Sequence, residues 1–173
     1  MNSKINFFGI DSLIDIVKAA VVAALYIVLT TTVFAAFSFG PIQFRFAEGL
    51  NNLVPFNKRY IVAITLGCFI SNMMSSLGPV DMIFGTFETF IALVTIHFVT
   101  KKMSSLPLKL VISVLIGTFY MFIIAFEIAF FGSSAFWPTF WSSYLTTGIG
   151  EFVTMGIGAV ILYFVNMSVD LSK

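Results

Sequence analysis

Residues 12–36 read SLIDIVKAAVVAALYIVLTTTVFAA, and no charge interrupts them after Lys18. An apolar run of this length crosses the ~30 Å hydrocarbon core of a bilayer as a helix rising ~1.5 Å per residue. Composition extends that reading to the whole chain. Of 173 residues, 59% are hydrophobic and 10% charged, with a mean hydropathy of +1.04. A soluble domain carries about 25% charged residues, so this chain lacks the polar surface to cover itself in water. The expected class is an all-α integral membrane protein. The run stands behind Asp11, Asp15 and Lys18 and outlasts the ~7–15 residues of a signal-peptide core, so it is expected to be retained.

Working outward from this segment, Ser12 is a candidate helix N-cap, and Ser38, Gly40 and Pro41 end the run. Five further spans are expected at about 44–54, 60–76, 81–100, 108–131 and 139–165. They are separated by Pro55 with a basic turn, by Gly78–Pro79, by Pro107, and by a loop ending at Pro138. The second span is too short to cross without tilting or thinning the bilayer. The connections are short, so residues 1–173 form one transmembrane domain. Ala19, Ala20, Ala23 and Ala24 make two overlapping small-xxx-small pairs, which let another helix approach closely in lipid.

Six alternating spans place Lys4, Lys18, Lys58, Arg59, Lys101, Lys102, Lys109 and Lys173 on one side, with Arg45 alone toward the other. By the positive-inside rule the lysine-rich side is cytoplasmic, and both termini lie there.

Within this hydrocarbon, residues 43–52 read QFRFAEGLNN. On a helix, Arg45, Glu48 and Asn52 share one face, and charges facing lipid cost several kcal/mol each, so that face must point into protein or a cavity. Asp81 and Glu88 share a face of the fourth span, Glu127 lies near the outer end of the fifth, and Glu151 near the middle of the sixth. Five acids and one arginine therefore converge on an outward-facing pocket. Such a pocket suits a small ligand with a positive charge and several hydrogen-bond donors, with Gln43, Asn51, Asn52 and Tyr144 placed to read its other edges. Trp137 and Trp141 fit either an outer aromatic belt or a ring that stacks on the ligand.

Several functions are excluded. A net charge of +1, with basic residues singly or in pairs, leaves no patch for nucleic acid. Cys68 alone makes neither an internal disulfide nor a structural zinc site, and its apolar setting reads as packing. His97 has no acid within a turn. There is no HExxH, GxSxG or phosphate-binding glycine loop, so no catalytic residues, metal or cofactor are expected.

The segments IVKAAVVAALYIVLT, SFGPIQFRFAEGLNNLVPF, GPVDMIFGTFETFIAL, FEIAFF and GIGEFVTMGIG together resemble the QueT family of queuosine-precursor transporters, over roughly Ile16 to Gly158. These are S-components, the substrate-binding subunits of energy-coupling factor (ECF) transporters. The resemblance implies a six-helix S-component in a bacterial plasma membrane that binds a vitamin-like molecule from outside. It also implies an ECF module as partner, made of a transmembrane coupling subunit and two ATPases. The alanine face of the first helix, Ala19, Ala20, Ala23 and Ala24, would dock on that coupling subunit. The implied cargo is a planar amine-bearing 7-deazaguanine such as 7-aminomethyl-7-deazaguanine or queuine, bound by Gln43, Arg45, Glu48, Asp81, Glu127 and Glu151. Glu88 matches no element of the family and rests on helical spacing alone. The alternatives are an S-component for another vitamin, a self-sufficient proton- or sodium-coupled carrier with Glu88 or Glu151 as its coupling acid, and an intramembrane enzyme.

Overall fold

Ser12 and Asp15 form a capping box that sets where the first helix begins. Ser12 Oγ accepts from the Asp15 backbone N–H at 3.2 Å, and the Asp15 carboxylate accepts from the Ser12 N–H at 3.0 Å. Both amides would otherwise be left without partners by helix geometry. The computed structural model describes residues 8–38, 44–75, 78–132 and 134–172. Its helices are α1 (Leu13–Val28), α2 (Ala35–Ser38), α3 (Arg59–Asn72), α4 (Pro79–Thr100), α5 (Leu106–Phe131) and α6 (Phe136–Ser168). No strand occurs among the described residues.

Two elements differ from the sequence expectation. Instead of one unbroken helix to Ala36, the chain widens into a π-helical turn at Leu29–Val33 and breaks at Phe34. Thr30 and Thr31 donate to the carbonyls of Tyr26 and Ile27 at 2.9 and 2.8 Å, side-chain bonding of the kind that bends helices. Residues 44–54, expected as a short span, contain a 3-10 helix, Phe46–Leu53. Phe46 packs against Phe34, with ring centroids 4.3 Å apart, and so joins the two irregular elements.

Among the described residues, four helices are long and apolar enough to cross a membrane: Leu13–Val33, Pro79–Thr100, Leu106–Phe131 and Phe136–Ser168. α3, with 14 residues, is apolar but shorter. Phe87, Leu115, Phe119, Ile149 and Ile161 stand exposed on α4, α5 and α6. A surface of that kind is solvated by lipid rather than water.

In the interior, α3 lies between α1 and α4, α5 between α4 and α6, and the 3-10 helix packs on α6. That last contact is backbone to backbone. A Cβ on Gly158 would stand 2.4 Å from the Gly49 Cα, so that position requires glycine, and one on Gly49 would meet the Gly158 Cα at a tight 3.1 Å. On α1, Ala19, Ala23 and Tyr26 turn inward and are buried, while Ala20 and Ala24 face out.

At the start of α3, buried Arg59 pairs with Asp15 and donates to the Ser172 carbonyl at 3.3 Å. Asn57 donates to the same carbonyl at 3.0 Å. The guanidinium thus joins the beginning of α1, the beginning of α3 and the end of the chain.

Candidate functional site

Arg45 opens the 3-10 helix and is buried. Its Nη2 donates to both oxygens of Asp81, at 3.1 and 3.4 Å, and its Nη1 donates to Asn72 Oδ1 at 3.1 Å. Asp81 lies in the first turn of α4, where the helix dipole favours a carboxylate. Asn72, at the end of α3, holds the pair in place by donating to the Asp81 carbonyl at 3.2 Å and to Cys68 Sγ at 3.4 Å. Its amide fits because α4 has a glycine opposite. A Cβ on Gly85 would lie 2.5 Å from Asn72 Nδ2. Cys68 Sγ in turn lies 3.3 Å from Thr89 Oγ1, and Thr89 donates to Glu88 Oε2 at 3.3 Å. A polar chain therefore runs from Arg45 through the interior to Glu88.

Glu48 is served from two other elements. Tyr26 of α1 donates to its Oε1, and Asn51, one 3-10 turn ahead, donates to its Oε2 at 2.7 Å. The 3-10 period brings residues three apart into register, which accounts for the Glu48–Asn51 pair.

Arg45, Glu48, Glu88, Thr147 and Glu151 face one cavity, closed on its apolar side by Met121 and Ile124 of α5. The empty space there is about 290 Å³, but only about 10 Å³ is open to the centre of a water molecule, roughly one water. A planar ring enters only when side chains spread, and Met121 is the unbranched, adaptable one among them. The Glu151 carboxylate takes no hydrogen bond among the described residues and is 5% exposed. Glu127, one turn beyond Ile124, is fully buried with neither oxygen hydrogen-bonded.

Of the residues singled out in the sequence, the fold gathers Arg45, Glu48, Asp81, Glu88, Glu127 and Glu151 into this interior. Asn52 is buried beside them but donates to the Gly49 and Met155 carbonyls, at 3.1 and 2.9 Å, and so ties the 3-10 helix to α6. Trp141 and Tyr144 lie apart, around a shallow hollow on the outer side of α5 and α6; Trp141 is 61% exposed and Tyr144 donates to the Phe119 carbonyl at 3.3 Å. Gln43 lies outside the described residues. A surface hollow lined by Leu110, Val114, Phe152, Ala159 and neighbours is almost wholly apolar and offers a polar ligand nothing to bond.

Three contributors escaped the sequence reading: Tyr26, Asn72 and Thr89. Tyr26 carried a usable signal, because a phenol inside an Ala–Val–Leu run needs a partner for its hydroxyl. Asn72 was the one amide in its span, and its partner is nine residues further on, across a turn.

The sequence profile of the QueT transporter family matches residues 16–167. The Queuosine precursor transporter QueT of Lactococcus lactis subsp. cremoris (strain MG1363) is 40% identical over 167 residues, spanning 92% of this chain and 96% of that one. No solved structure matches the chain. Relatives of this kind are transporters and not enzymes, and the long apolar helices are those of a multi-pass membrane protein. The chain belongs to the QueT transporter family.

Proposed function

We infer that this chain captures a queuosine precursor, a planar 7-deazaguanine bearing an amine, from outside the cell and into the cavity between the 3-10 helix, α4, α5 and α6. The observation that carries the reading is the set of acids facing that cavity. Arg45 is held by Asp81 and Asn72, so among the described residues that one guanidinium shares the cavity with three further acids, Glu48, Glu88 and Glu151. A cationic ligand rich in N–H donors supplies what these carboxylates lack.

In this reading the chain is an S-component with six membrane crossings and both termini in the cytoplasm. Arg45 and Asp81 stand toward the outer mouth. Transport requires an ECF module of one coupling subunit and two ATPases. The exposed Ala20 and Ala24 supply the smooth part of the docking face, and Ala19 and Ala23 support it from within.

Calorimetric titration of the purified full chain in detergent tests the reading, with 7-aminomethyl-7-deazaguanine, queuine, guanine, thiamine and riboflavin as ligands. Nanomolar to low-micromolar binding of a deazapurine alone is expected. Binding of a different vitamin would discard the cargo, and silence toward all five from a folded sample would discard the site.

A further inference from the structure

The five acids of this interior are not equivalent. Asp81 holds Arg45, Glu48 accepts from Tyr26 and Asn51, and Glu88 accepts from Thr89. Glu151 and Glu127 accept nothing among the described residues, and both are more than nine-tenths buried. A buried carboxylate without donors is costly, so an arrangement that keeps two of them leaves room for donors that the described residues do not bring to them.

Their positions separate two tasks. Glu151 faces the cavity from the middle of α6, with Oε1 against the Gly117 turn of α5. Glu127 stands on the buried side of α5 one turn beyond Ile124, which lines the cavity, and is itself outside the cavity lining. Its turn lies beside the start of α4, where Phe84 meets the rings of Phe126 and Phe131 at 6.4 and 5.7 Å. Asp81 and Arg45 are the charged groups that act on it there. The two unpartnered carboxylates thus stand on neighbouring helices, Glu151 at the cavity and Glu127 one turn past its α5 lining.

A 7-deazaguanine likewise carries its donors at two separate places. The pyrimidine edge presents a ring N–H and an amino group, and an aminomethyl arm projects from the opposite, pyrrole end. We propose that Glu151 receives the pyrimidine edge while Glu127 receives the ammonium of the arm, so that Glu127 selects precursors that bear an amine over those that do not. The proposal rests on the cargo reading above and assigns the specificity within it.

The test compares 7-aminomethyl-7-deazaguanine with its 7-cyano analogue, which has the same ring and a nitrile in place of the amine, by titration of the full chain in detergent. The wild type should prefer the amine by about tenfold or more, the scale of a charge-assisted hydrogen bond. Glu127→Gln should lower affinity for the amine by about tenfold and leave the nitrile within about twofold, erasing the preference. Glu127→Asp, which keeps the charge, should retain a preference, and Glu151→Gln should weaken both ligands. Equal wild-type affinities overturn the assignment without recourse to any variant. So does a parallel loss of both ligands in Glu127→Gln, or erasure of the preference by Glu151→Gln instead. If a folded wild type binds neither compound, the cargo reading itself fails and takes this assignment with it.

Discussion

Arg45 and Asp81, 36 residues apart in sequence, meet inside the bundle with Nη2 3.1 Å from Oδ2, and the pair joins the 3-10 helix to α4. Removing one member of a buried pair leaves the other charged and unpartnered, at a cost of about 3–5 kcal/mol. Asp81→Asn should therefore lower thermal stability in detergent well beyond the effect of Glu127→Gln, which strands no cation. The double variant Arg45→Met/Asp81→Leu should recover part of the loss. Melting curves of the four proteins decide this, and a double variant that melts no higher than Asp81→Asn would rule out the coupling.

Gly85 should be irreplaceable for a reason specific to Asn72. The methyl of Gly85→Ala would sit 2.5 Å from Asn72 Nδ2, pushing the amide off Arg45 at an overpacking cost of about 1–3 kcal/mol. Ligand affinity should fall with it. Gly156→Ala is the matched control, since nothing lies within 4 Å of that Cβ, and it should be neutral or slightly stabilising. Equal behaviour of the two variants in titration and melting would contradict the packing argument.

Tyr26→Phe removes one hydroxyl and nothing else, and Glu48 then keeps only Asn51 as donor. A buried acceptor short of one bond costs about 1–3 kcal/mol. The variant should insert normally, melt lower and bind its ligand more weakly. Unchanged affinity would mean that Glu48 needs no support from α1.

The alanines of α1 divide into two pairs with opposite expected behaviour. Ala19→Leu/Ala23→Leu overpacks the buried α1–α3 contact and should cost about 1–3 kcal/mol of stability. Ala20→Leu/Ala24→Leu alters only an exposed face, within about 0.5 kcal/mol. The second variant should bind ligand normally and lose ATP-dependent uptake when reconstituted with a coupling subunit and ATPases. Full uptake by that variant would remove α1 from the docking face.

Membrane class, the helix breaks at proline and glycine, and the gathering of acids around Arg45 were legible because each follows from local chemistry that hydrocarbon makes costly to violate. The form of residues 46–53 was not. Spacing on an α-helix puts Arg45, Glu48 and Asn52 on one face, whereas a 3-10 helix sets Glu48 over Asn51 and turns Asn52 toward the α6 backbone. Trp141 and Tyr144 misled for a related reason. An aromatic at a membrane boundary looks the same in sequence whether its helix turns it toward a cavity or toward lipid, and here Trp141 is turned outward. Tyr26 and Asn72 act through partners 22 and 27 residues away, pairings that only the packed bundle creates.

The bonds made by Arg59 also carry a topological consequence. Asp15, at the start of α1, and the Ser172 carbonyl, after α6, meet on a single guanidinium, which places those two segments side by side at one end of the bundle, as an S-component with both termini in the cytoplasm would need. A chain that returns to its starting face has crossed an even number of times, whatever the tilt or brevity of any one segment. An even count is therefore expected, and a reporter fused to the amino end should give the same sidedness as one fused to the carboxyl end; opposite sidedness would overturn the proposed topology.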